Sequence, residues 1–86
     1  MFKKKRGIKL HYNTQGLIFF ICLDYKNQPQ AMQKKILNLC LTIGGENWQM
    51  LFNILTTSKS IITIAEEHHA SESVLYRLRK KFYEGW

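Results

Sequence analysis

Glu66, Glu67, His68 and His69 form the densest run of proton-transferring and metal-ligating side chains in the sequence. A helical zinc site needs two histidines about four residues apart, as in His-Glu-x-x-His, so that both rings leave the same side. Adjacent residues diverge by about 100° around a helix, so His68 and His69 cannot share a metal in that way. The run reads instead as the solvated side of a helix. His11, Cys22 and Cys40 have no metal-like spacing to one another or to that run. The two cysteines lie inside apolar stretches, which fits buried free thiols in a reducing compartment. The acidic residues Asp24, Glu46, Glu66, Glu67, Glu72 and Glu84 are scattered along the chain and give no convergent pair for general acid-base work. The expectation is a chain with no catalytic residue, no metal and no cofactor.

The other concentration of chemistry is cationic. Thirteen lysines and arginines against six acids give the 86 residues a formal charge of +7. The sequence pI of about 9.7 favours an anionic partner, either nucleic acid or a membrane surface. The charge falls in two blocks. Lys3, Lys4, Lys5, Arg6 and Lys9 open the chain, and Arg77, Arg79, Lys80 and Lys81 stand near its end. The first block reads as a basic arm over residues 1–13. Such an arm either follows a phosphate backbone or enters a minor groove, or is simply a solvated terminus.

What must position the second block is the stretch from Ser60 to Phe82, SIITIAEEHHASESVLYRLRKKF. It predicts a short helix carrying Ile61, Ile64 and Ala65, a corner at His68-His69-Ala70, and a second helix capped by Ser71. Ala65 is the small residue where two steeply crossed helices approach. Val74, Leu75, Leu78 and Phe82 recur at helical spacing as the buried stripe of the second helix. With that stripe inward, Ser73, Tyr76 and Lys80 point outward, flanked by Glu72, Arg77 and Tyr83.

The run IAEEHHASESVLYRLRKKF resembles the helix-turn-helix of bacterial and phage regulators, of transposase DNA-binding segments and of small late-gene-type phage activators. The resemblance covers roughly a quarter of the chain. It rests on Ile64-Ala65, Ala70-Ser71, and Leu75 with Leu78. Where that family usually carries glycine at the corner this chain has His69, so a left-handed backbone there carries a side chain. The resemblance implies a DNA-reading motif at residues 60–83.

The rest of the chain supplies the core. Leu17 to Leu23 is a continuous apolar run whose β-branched and aromatic content suits a strand. With no second strand for it to pair with, it is predicted as a helix from about Thr14 to Tyr25, apolar on every side and in need of deep burial or a partner. The run is too short to span a bilayer and has no small-residue cleavage site, so a cytoplasmic, nucleoid-associated protein with no membrane partner is expected. Pro29 opens a helix carrying Met32, Ile36, Leu39, Cys40 and Ile43, which Gly44-Gly45 ends. Glu46 to Thr57 places Trp48, Leu51, Phe52 and Leu55 on one face and braces the motif. The predicted fold class is all-α: residues 14–86 form a single helical bundle of four to five helices with a C-terminal helix-turn-helix.

This reading leads to a sequence-specific double-stranded DNA-binding protein, a small phage or mobile-element transcriptional regulator that reads the major groove with the helix starting at Ser71. Ser71, Glu72, Ser73, Tyr76, Arg77 and Lys80 would face base edges and flanking phosphates, with Arg77 the candidate for a bidentate contact to guanine. Lys59, Arg79, Lys81 and the arm residues Lys3, Lys4, Lys5 and Arg6 would add sequence-independent affinity. A homodimer on half-sites one helical turn apart would complete the interface. The alternative from a different class is a phage-type inhibitor or adaptor that grips a host protein through the motif, the apolar run, and the aromatic residues Tyr76, Tyr83 and Trp86.

Overall fold

The computed structural model describes residues 5, 7, 8 and 10–86, and all regular structure among them is helical. Five α-helices follow in order: α1 Tyr12–Leu23, α2 Gln30–Gly44, α3 Trp48–Thr56, α4 Ile61–His68 and α5 Glu72–Gly85. Single 3-10 turns at Tyr25–Asn27 and Gly45–Asn47 join α1 to α2 and α2 to α3. The apolar run from Leu17 to Leu23 is helical, as the lack of a pairing strand required. Its helix starts and ends two residues earlier than the expected Thr14 to Tyr25, because Tyr25 enters the 3-10 turn.

α1 buries a narrow stripe of Gln15, Ile18 and Cys22. Ile21 packs against the core and Phe19 is partly buried, while Leu17 is 59% and Phe20 55% exposed. Gln15 is the polar member of the stripe and is fully buried. Its side-chain amide donates to the carbonyls of Ile8 (3.3 Å) and Leu10 (3.1 Å), and its Oε1 accepts from the Lys5 amide at 2.7 Å. A buried amide without such partners would cost a few kcal/mol, so the three bonds fix the path of the chain ahead of α1. Ile8, inside the stretch read as an arm, is 5% exposed and belongs to the core. Lys3, Lys4, Arg6 and Lys9 lie outside the described residues.

α2 and α3 form a helical hairpin around Gly44 and Gly45. Gly45 has φ +53°, a region that suits glycine. A Cβ on Gly44 would sit 3.3 Å from the Trp48 Cβ, so the hairpin closes on a residue with no side chain. α3 then packs against each of the other four helices. Its inner face carries Leu51 (0% exposed) and Leu55 (6%). Tyr25 meets Phe52 edge-on at 5.0 Å, and this closes the α1–α2 connection over α3.

α4 and α5 are two helices separated by His69, Ala70 and Ser71, one residue later than the expected corner at His68-His69-Ala70, because His68 completes α4. Ser60 caps α4 by accepting the Thr63 amide at 3.1 Å. The corner is a Schellman-type closure. His69 has φ 53° and ψ 41°, its amide donates to the Glu66 carbonyl, and the Ala70 amide donates to the Ala65 carbonyl. Ala65, 4% exposed, lies where the helices meet. Ser71 occupies the cap position of α5, but its hydroxyl pairs with the Ser73 hydroxyl at 2.8 Å and caps no backbone amide.

The two caps and the corner make separable predictions for chemical denaturation. Ser60→Ala should cost about 1 kcal/mol, whereas Ser71→Ala should cost clearly less because no amide loses an acceptor. His69→Gly should be neutral or stabilising by up to about 1 kcal/mol, since glycine removes the left-handed penalty that a side chain carries. A marked loss of stability in His69→Gly would show that the imidazole makes a contact the corner depends on.

Candidate nucleic-acid interface

α5 is held by its buried stripe, Leu75 (0% exposed), Leu78 (8%) and Phe82 (0%). It packs against α2, α3 and α4, and near its end Gly85 approaches the side chains of Leu39 and Ile43 of α2. The side left uncovered carries the residues picked out from helical spacing. Ser71, Glu72, Ser73, Tyr76, Arg77 and Lys81 are exposed, and Lys80 is half-buried on the same helix. Ser73, Tyr76, Arg77 and Lys80 recur at three- and four-residue steps, so they form one row along α5. Its chemistry is a hydroxyl, a phenol, a guanidinium and an ammonium, which can donate to base edges and to phosphate oxygens.

Three of the basic residues assigned to the surface are engaged elsewhere. Lys59 is exposed and pairs with Glu67 at 2.9 Å across the start and end of α4. That exposed pair adds little stability but partly neutralises the cation. Lys5 lies with its Nζ 5.0 Å from the centre of the Phe19 ring. Arg79 is half-buried, its guanidinium carbon 5.1 Å from the centre of the Tyr76 ring, and its Nε is buried with no hydrogen-bond partner. Burial lowers the pKa of Arg79 from its ordinary value, while Tyr83 and then Tyr76 raise it. Burial, followed by the charge of Arg79, lowers Lys5.

No family model, curated protein sequence or solved structure matches this chain. The reading of its surface therefore rests on its own residues.

Two aromatic residues depart from their expected positions. Tyr83 was placed on the outer flank of α5 but is 1% exposed. Trp86 is half-buried, with its ring 5.9 Å from Phe82 and the Lys35 ammonium 4.1 Å from its centre. Helical spacing assumes that a helix is covered from one direction. α5 is covered along its length by more than one neighbour, and the added cover takes in the edge that carries Tyr83. Only Tyr76 of the three aromatic residues proposed for a protein contact is exposed, at 46%.

The groove beside Arg79 was not legible from spacing. Its volume is about 360 Å³, and its lining includes Lys5, Lys59 and Arg79 together with Leu23, Leu55 and Ile61. These residues come from the segment before α1 and from the ends or middles of four helices and loops, so no local pattern connects them. Gln15 did leave a signal, because it stands three and seven residues before Ile18 and Cys22 on their helical face.

Among the described residues no group of three or more His, Cys, Asp or Glu side chains is arranged to hold a metal ion. No helix among them is long and apolar enough to cross a membrane. The cysteines are free and buried. Burial, then the neighbouring Cys40, pushes the Cys22 thiol up to about 12 from 9.0, and burial does the same to Cys40. The Tyr83 phenol is pushed up to about 12 from 10.0 by burial first, then by Cys22, against an opposing effect of Arg79.

The folded chain holds these three protons more tightly than the unfolded chain, which releases them near 9.0 and 10.0. Their contribution is therefore complete below about pH 9 and is lost as pH rises toward 12, at up to about 1.4 kcal/mol per pH unit for each group. Helical circular dichroism under mild denaturant should show unfolding above pH 9. Tyr83→Phe should make the decline between pH 10 and 12 shallower. A stability profile flat to pH 12 would contradict the burial of these groups.

Proposed function

We propose that this chain is a double-stranded DNA-binding protein that reads the major groove with α5, as a small regulator of phage or mobile-element type would. The observation that carries the reading is the row Ser73, Tyr76, Arg77 and Lys80, held outward on the second helix of a helix-corner-helix unit. A helix diameter of about 10–12 Å suits the major groove, and the row would be presented to base edges. Arg77 is the candidate for guanine and Tyr76 for a thymine methyl or a phosphate. Glu72, at the start of the helix, would accept from a cytosine amine. Lys81 and the arm residues Lys3, Lys4 and Arg6 would add backbone affinity that falls with salt. Two copies on half-sites about one helical turn apart would supply the interface that a single small motif lacks.

A second reading is favoured by one feature. Leu17 and Phe20 of α1 are more than half exposed, with Tyr12 at 47% and Leu23 at 38%. An apolar helix face of this kind suits a protein contact, and a host protein gripped through α1 is the alternative function.

Selection from a random duplex pool at several salt concentrations tests the first reading. Wild type should enrich a motif, Arg77→Ala should relax discrimination at one position by about 1–3 kcal/mol, and Lys81→Ala should weaken all sequences alike and reduce the salt slope by about one. Salt-sensitive retention without a motif would leave a general backbone binder. No retention of duplex at low salt would reject the DNA reading and favour the α1 surface.

A further inference from the structure

The groove between the segment before α1, the α3–α4 loop and the inner edge of α5 is unexplained by duplex recognition. Its cations are drawn together: Arg79 lies close enough to Lys5 for its charge to disfavour the Lys5 ammonium. Among the described residues, no aspartate or glutamate lines the groove. Glu67 answers Lys59 from outside it. The Arg79 Nε is buried and has no hydrogen-bond partner, an arrangement that ordinarily costs a folded protein free energy. The Arg79 guanidinium carbon lies 5.1 Å from the centre of the Tyr76 ring, and Tyr76 and Tyr83 both line the groove.

The rest of the lining is of a different character, with Leu23, Ile54, Leu55 and Ile61 adding apolar surface beside the cations. A lone inorganic ion or a backbone phosphate would meet the cations and leave that surface bare. The volume of about 360 Å³ falls within the range of small-molecule sites, which are mostly apolar with a few convergent polar groups.

We propose that this groove binds a small organic oxyanion, a phosphate or carboxylate head carrying an apolar body, with the head on Arg79, Lys5 and Lys59 and the body on Leu23, Leu55 and Ile61. The guanidinium, half-buried at the groove, supplies through its terminal nitrogens the planar donor edge that oxyanions match. The site goes beyond the DNA reading.

Phenyl phosphate is a suitable probe, since it joins an oxyanion to a flat apolar ring, with inorganic phosphate and phenol as its separate halves. A proton–nitrogen NMR titration of the full chain should give saturable shifts at Thr57, Lys59, Ile61 and Tyr76, together with the Arg79 Nε–H signal. Phenyl phosphate should bind at least about tenfold more tightly than either half, because only the whole probe uses both cations and apolar lining. Arg79→Gln should weaken it by about tenfold while leaving amide dispersion intact, and if that variant does not fold, the shift map of the wild type stands as the test. Shifts spread along Arg77, Lys80 and Lys81, equal affinity for inorganic phosphate, or no saturation would overturn the proposal. So would a short duplex, and not phenyl phosphate, moving the groove signals, which would assign the cations to a DNA backbone.

Discussion

Burial of Leu51 and Leu55 on a nine-residue helix is the interaction on which the other elements rest. A helix as short as α3 has little stability of its own in water, and neither do α4 or α1 at their lengths. Each becomes stable only by covering the apolar face of another. α3 touches all four of its companions, and loss of the fully buried Leu51 side chain would leave a cavity in the core they share. Large-to-small replacements at such positions cost about 2–5 kcal/mol, a large share of the stability of a domain this size.

The proposed interface depends on that core through geometry. The α4–α5 unit presents a polar row only because Leu75, Leu78 and Phe82 anchor the opposite side of α5, and the corner angle is held by Ala65 and the left-handed His69. The side chain at His69 costs the chain some backbone energy, which the two closing amide bonds and the buried Ala65 offset. The α2 contact at the far end of α5 does a different job. It brings Gly85 against Leu39 and Ile43 and sets Trp86 under the Lys35 ammonium.

Charge is distributed in a way that separates two kinds of cation. Arg77 and Lys81 stand in solvent, where their attraction to an anion is long-ranged and screened by salt. Arg79 is drawn into a groove beside apolar side chains, where an ion pair is screened less but desolvation is costly. Residues two apart on one helix thus fall into different electrostatic regimes. Their neighbours in space, and not their type, decide which.

Helical periodicity determined much of this protein. The all-α class, the break at Gly44-Gly45, the Ser60 cap, the corner at His69 and the inward stripe of α5 are all local consequences of side-chain spacing and backbone preference, and they follow from short stretches of sequence. The helical state of Leu17 to Leu23 followed from the lack of a strand to pair with. Tertiary structure alone decided the burial of Tyr83, the inward turn of Arg79, the place of Ile8 in the core and the groove lined by Lys5, Lys59 and Arg79. Those depend on which helices cover a given edge, and contacts between residues distant in sequence leave no period to read. Gln15 lies between the two cases: its position on the buried face of α1 is periodic, but its partners Lys5, Ile8 and Leu10 are set by how the preceding chain folds back onto the helix.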